Sequence, residues 1–302
     1  MNRFGNVLIP LVTPFDEKEE VNYSVFEELI GYVIERDFCD TIIVTGTTGE
    51  FNTLTFNERA KLFEVAVKAV NGRKPVIAGT GCGSTKETIE LTRAAQSIGV
   101  DACMLVAPFY CKPTQEAIYE HYRKIADNVD IGLLLYNIPI FTGVNIEPGT
   151  LRKLAKDKKI FGIKDEAGMN PVQVTDYYFA VKDINPDFLI FNGDDLMLMP
   201  TLAQGAVGIV SGTSQLVGDR VKLVFKKYYE GKNVEALEIY RRMFKLFKIF
   251  GINGRIHINP MLRAAIEIVT GIKVGKARMP LDAPNKDEIE ALKKVLSETG
   301  LI

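Results

Sequence analysis

The sequence predicts an α/β chain folded as a (β/α)8 barrel with a C-terminal three-helix extension. Three observations predict it. Eight short apolar runs recur up to residue 211, helical stripes separate them, and the remainder reads as helices without strands between them. A length of 302 residues accommodates one large barrel of this kind.

The runs are 7–12, 41–45, 75–79, 102–107, 131–136, 160–164, 188–192 and 206–211. Each is rich in Val, Ile, Leu or Phe, with little polar alternation. That composition suits strands buried on both faces of a parallel sheet. Between them, segment 58–70 lines up Ala60, Leu62, Phe63, Ala66, Val67 and Val70 as one helical stripe. Segment 84–98 opens with Ser84 and Glu87 at capping-box spacing. Segment 114–126 follows Pro113. Pro171 fits the first turn of a helix that Asn170 caps and that runs through Lys182. Repeated strand–helix units predict a closed barrel. The rival is an open doubly wound sheet, but no G-x-G-x-x-G follows the first run. Beyond the eighth run, 217–230, 233–250, 259–269 and 286–298 read as helices. The first completes the barrel, so a catalytic barrel is expected over 1–230 and a helical subdomain over 231–302.

Lys plus Arg number 37 against 38 Asp plus Glu, a net charge of −1. That balance points to neither a nucleic-acid nor an anionic-membrane partner. No apolar run reaches the length of a membrane span, and residues 1–12 lack the pattern of a secretory leader. Cys39, Cys82, Cys103 and Cys111 form no C-x-x-C, and His121 and His257 lie apart from any cysteine pair. A zinc site is therefore not expected; the thiols are expected reduced and the location cytoplasmic.

Barrel chemistry gathers where strands end. The sixth run ends Gly162-Ile163-Lys164-Asp165-Glu166. Period two sets Ile160, Gly162 and Lys164 on the inner face and Phe161 and Ile163 toward outer helices. Desolvation there would free the lysine as an amine able to attack a carbonyl. The structural alternative is a solvated lysine paired with Asp165 or Glu166. Tyr136, ending the fifth run, could relay a proton beside it or simply be a rim tyrosine. Thr45-Gly46-Thr47-Thr48-Gly49-Glu50 is a tight turn whose backbone N–H groups could meet a carboxylate. Tyr110 offers a second phenol after the fourth run. Asp194 or Asp195 suits a helix cap. No acidic or histidine cluster marks a metal site.

Taken in order, Gly46-Thr47-Thr48-Gly49-Glu50, Pro108-Phe109-Tyr110, Tyr136-Asn137-Ile138-Pro139, Gly162-Ile163-Lys164-Asp165 and Gly193-Asp194-Asp195 resemble the dihydrodipicolinate synthase / N-acetylneuraminate lyase family of class I pyruvate aldolases. The similarity spans the chain. It implies that Lys164 forms a Schiff base with a 2-oxo acid such as pyruvate and that Tyr136 is the general acid/base. Thr47 and Thr48 would hold the carboxylate within the Gly46 turn, with Thr47 also in a hydroxyl relay. Tyr110 would complete that relay in a neighbouring subunit, and the Val210 carbonyl would line the pocket. It further implies a homotetramer built as a dimer of dimers, and an imine that serves as electron sink without metal or cofactor. One departure stands out: Phe141 occupies the position where dihydrodipicolinate synthases usually carry an arginine for the second substrate's carboxylate. Phenylalanine makes no charge-assisted contact. On that ground the sequence favours a 2-keto-3-deoxy-sugar-acid aldolase. The alternative is a 4-hydroxy-tetrahydrodipicolinate synthase, which uses pyruvate and aspartate semialdehyde. A non-catalytic 2-oxo acid binding protein is more remote, since Lys164 and Tyr136 are both present.

Overall fold

The computed structural model describes residues 2–302. Eight strands follow chain order around a closed barrel: β1 (Val7–Pro10), β2 (Thr41–Val44), β3 (Val76–Gly79), β4 (Ala102–Val106), β5 (Leu133–Asn137), β6 (Ile160–Asp165), β7 (Leu189–Asn192) and β8 (Gly208–Val210). They fall on the eight apolar runs, with ends displaced by one or two residues. The helices are α1 (Tyr23–Glu35), α2 (Phe56–Val70), α3 (Thr85–Ile98), α4 (Gln115–Ala126), α5 (Pro139–Thr142) and α6 (Pro148–Leu154). They continue as α7 (Gln173–Val181), α8 (Leu198–Ala203), α9 (Ser214–Tyr229), α10 (Asn233–Ile249), α11 (Asn259–Thr270) and α12 (Lys286–Glu298). This is the (β/α)8 fold with C-terminal helices. Helices α1, α5, α6 and α8 add to those that periodicity predicts.

The chain divides into two compact units. One joins the described residues up to Lys74 with Ser211–Ile302; the other is Pro75–Val210. In the first, β1 pairs in parallel with β2, Ile9 opposite Ile42. Helix α9 lies against β1 and α10, and α12 lies against α10 and α11. Leu8, Ile9, Phe26, Leu29, Ile42, Phe63, Val221 and Leu262 are all buried. Each such side chain contributes about 1.5–3 kcal/mol. Thr55 and Glu58 form a full capping box at the start of α2.

In the second unit, β3 through β8 pair in parallel. The predicted cap of α3 is half present: Ser84 accepts from the Glu87 amide. Strand β6 carries a bulge. Leu133 pairs with Ile160, yet Leu134 pairs with Gly162, so Phe161 is the extra residue. Its ring lies over Gly132, where a Cβ would stand 3.2 Å from the ring edge. The bulge shifts all later pairing by one residue and sets Lys164 level with Tyr136.

One predicted boundary needs correcting. Helix α7 begins at Gln173, not at Asn170–Pro171, and no side chain caps it. Residues 170–172 form a turn instead, with the Gln173 amide donating to the Asn170 carbonyl. The reason is that the Gln173 side chain is drawn inward to hydrogen bond with Asp165 and Tyr177.

Gly218 lies inside α9, where alanine ordinarily stabilises a helix by about 1 kcal/mol. Here an added Cβ would stand 2.3 Å from the Phe38 carbonyl oxygen and 2.6 Å from Phe38 Cβ. Gly218→Ala is expected to destabilise the protein by about 1–3 kcal/mol, an overpacking cost that outweighs the helix gain. Urea unfolding monitored by circular dichroism checks the sign.

Candidate active site

The bulge in β6 makes Tyr136 and Lys164 lateral neighbours in a parallel pair, so both side chains leave the sheet on one face. Lys164 Nζ stands 3.8 Å from the centre of the Tyr136 ring. Tyr136 is 1% exposed and Lys164 4%. The lysine is thus buried, as the inner-face reading expects, and also paired, as the structural alternative expects. Its partner is Glu166, with Oε2 at 3.0 Å from Nζ. The Tyr136 hydroxyl donates to that same oxygen at 2.7 Å.

Gly193 leaves space for this trio. A Cβ there would stand 2.6 Å from Lys164 Cε and 2.9 Å from both Cβ and Oε2 of Glu166. The backbone is held as well: the Glu166 amide donates to the Asn137 carbonyl and the Gly193 amide to the Asp165 carbonyl. Asp194 caps the next turn by accepting from the Leu196 amide, the role expected from its position. Burial, opposed by that hydrogen bond, pushes its carboxyl up to about 6.

Asp165, next to Glu166 in the chain, engages a different set of groups. Its Oδ1 accepts from Asn137 Nδ2 and Gln173 Nε2, both at 2.9 Å. Asn145 exchanges hydrogen bonds with Gln173 and accepts from Asn137. Tyr177 accepts from Gln173 and donates to the Ile146 carbonyl. Burial raises the Asp165 carboxyl from 3.8 to about 6, against the lowering effect of its amide donors.

Thr47 and Thr48 lie after β2, in the first unit. Their turn is strained and braced. Thr45, a β-branched residue, has φ of 55°, and Glu50 has φ of 56°. Gly49 sits where a Cβ would meet Thr45 Cα at 3.0 Å, and its carbonyl accepts from the Thr13 hydroxyl. Asn259 Nδ2 donates to the Thr48 carbonyl at 3.0 Å. Glu50 and Arg263 form an ion pair at 2.8 Å, with side chains 0% and 2% exposed. Arg263 also donates to the Thr13 and Val274 carbonyls. The expectation of outward backbone amides narrows here. Those of Gly49, Glu50 and Phe51 donate to Gly46 and Thr47 carbonyls within the turn.

The other expected residues are more dispersed. Val210 ends β8 and is buried. Tyr110 is 96% exposed, with φ of 70°. Phe141 lies on the short helix α5 and is 41% exposed. The Lys112 side chain packs over the end of that helix, since a Cβ at Gly143 would stand 2.8 Å from Lys112 Cε. From the sequence, Glu166 stands only beside Asp165 as a possible partner for a solvated lysine. Period two carries a signal for more, because residue 166 follows 162 and 164 on one face.

A sequence profile described as the dihydrodipicolinate synthetase family matches residues 3–299. The 4-hydroxy-tetrahydrodipicolinate synthase of Synechococcus sp. (strain JA-2-3B'a(2-13)) is 40% identical over 301 residues, covering 99% of this chain and 95% of that protein. The protein of the same name from Oceanobacillus iheyensis is 38% identical over 298 residues, covering 98% and 97%. The crystal structure of DHDPS from Cyanidioschyzon merolae with lysine bound is similar over 100% of both chains, with a TM-score of 0.94 and 36% identity.

The Asp165 shift has a testable sign. A carboxyl whose folded-state value is raised to about 6 favours folding below pH 4 or so, and that contribution is lost as pH climbs through 6. Asparagine does not ionise. Asp165→Asn is therefore expected to gain on the parent protein by about 2 kcal/mol between pH 4 and pH 7. Denaturant unfolding at several pH values measures it; a gap that stays constant with pH would contradict the shift.

Proposed function

The chain belongs to the dihydrodipicolinate synthetase family of class I, Schiff-base-forming pyruvate aldolases, and on that premise we propose that it condenses pyruvate with aspartate semialdehyde, as a 4-hydroxy-tetrahydrodipicolinate synthase does. One observation supports that choice above the rest: relatives of this name are 37–40% identical along nearly the whole chain. The order of substrates suggested by Phe141 is accordingly reversed.

In this reading Lys164 attacks the pyruvate carbonyl to form a protonated imine, which serves as the electron sink for enamine formation. No metal is needed for that step. Tyr136 moves protons at the imine, supported by its place beside Nζ. Thr47 and Thr48 hold the pyruvate carboxylate, with Gly46 shaping their turn. Val210 lines the pocket through its carbonyl. The exposure of Tyr110 suits a residue that completes the relay in another subunit of a homotetramer.

The acceptor's carboxylate needs a cation, and Phe141 is not one. Lys112 brings a positive charge to the turn that ends α5, and we assign it that contact. The second reading, cleavage of a 2-keto-3-deoxy sugar acid, is favoured by the apolar Phe141 itself.

Borohydride added with pyruvate is expected to leave a reduced pyruvyl group on Lys164 and to abolish turnover. Intact mass and peptide mapping check the site; an adduct on another lysine would sink the imine role. Condensation of pyruvate with aspartate semialdehyde, run beside pyruvate release from keto-deoxy sugar acids, separates the two substrate readings. Lys112→Met is expected to raise KM for aspartate semialdehyde roughly tenfold, the loss of about 1.4 kcal/mol, with little change for pyruvate. Equal changes for both substrates would remove Lys112 from the acceptor site.

A further inference from the structure

The Lys164 amine must lose a proton before it can attack, and a hydroxyl must gain one before it can leave as water. One carboxylate oxygen touches both groups that carry out these steps. Glu166 Oε2 is 3.0 Å from Lys164 Nζ and accepts from the Tyr136 hydroxyl at 2.7 Å. A salt bridge that only neutralised a buried ammonium would not need the phenol on the same oxygen. The surroundings are built for this convergence. The absence of a side chain at Gly193 leaves the room that Lys164 Cε and Glu166 Oε2 both occupy. The Glu166 side chain is 25% exposed against 6% for Lys164. The carboxylate therefore links a buried pair to solvent.

Alone, a phenol is a poor base near neutrality, because its ordinary pKa is about 10. A carboxylate in contact with it removes the need for a free phenolate. We propose that Glu166 is a catalytic residue, which takes the ammonium proton of Lys164 and returns it through Tyr136 to the departing hydroxyl. The inference rests on the imine role of Lys164. The step balances. Lys-NH3+ and Glu-COO− become Lys-NH2 and Glu-COOH, and nitrogen bonds to the carbonyl carbon. A second nitrogen-bound proton moves to the former carbonyl oxygen, giving a carbinolamine. Glu166 then protonates Tyr136 as Tyr136 protonates that hydroxyl. The carbon–oxygen bond breaks, water leaves, and a protonated imine remains. Glu166 and Tyr136 end as they began.

Rapid mixing with pyruvate, followed by borohydride quench at intervals, reads the rate of adduct formation on Lys164. Glu166→Gln and Glu166→Ala are expected to form the adduct about a hundredfold more slowly, the lower range for loss of a general base. Glu166→Asp, which keeps the carboxyl, should retain more of the rate than the amide. Added formate should accelerate Glu166→Ala in proportion to its concentration, an effect that a merely structural role would not produce. Wild-type rates in the glutamine and alanine variants, or no response of the alanine variant to formate, would overturn the inference alone. A wild-type protein that forms no adduct on Lys164 would overturn the imine reading beneath it, and this inference with it.

Discussion

A buried ammonium sets the terms for this molecule. Lys164 is 4% exposed at the end of an apolar strand, and removing such a charge from water costs several kcal/mol unless it is paired. Glu166 provides the pairing at 3.0 Å. Three separate features make that contact attainable. The bulge at Phe161 sets the lysine level with Tyr136. The ring of Tyr136 faces Nζ. Gly193 leaves the room that any larger residue would fill.

Two adjacent carboxylates divide the work. Asp165 turns to Asn137 and Gln173, whose amides hydrogen bond further to Asn145 and Tyr177. That network is hydrogen-bonded and buried at Asp165, Asn137, Gln173 and Tyr177, which suits a rigid support for the strand end. Glu166, one residue on, turns to Lys164 and Tyr136. The first unit follows the same logic. Its strained β2 turn persists because Glu50 is paired to Arg263 in full burial and Asn259 holds the Thr48 carbonyl. Strain of this kind survives only where the surroundings over-determine it.

Much of this was legible in the residues. Apolar runs locate all eight strands because strands buried on both faces have no polar face to interrupt them. Lys164 and Tyr136 are legible because a lysine and a tyrosine at strand ends are chemically conspicuous. Short helices were less so. Helices α6 and α8 span seven and six residues, too few for a stripe to repeat. Helix α7 starts two residues past Pro171, a good local signal that the pull of Gln173 toward Asp165 overrides. The bulge at Phe161 leaves no local mark, since the Phe161 ring is accommodated by Gly132, a distant residue just before β5. Hence the sequence points to the lysine without pointing to the register that pairs it with Tyr136.

The two halves of the reaction rest on different kinds of structure. The pyruvate end is assigned to residues at strand ends, where pairing across the sheet leaves little freedom. The acceptor end is assigned to a four-residue helix and the turn beyond it, carrying Phe141, with Lys112 packed alongside. Loops accept substitution far more readily than strands, so a family can keep its imine chemistry while the acceptor contact changes. On the proposed assignment, an apolar ring and a lysine cation stand where an arginine fork would meet the acceptor. A lysine supplies charge without the fixed bidentate geometry of a guanidinium. A site of that kind would attract a carboxylate yet hold it less strictly than an arginine does.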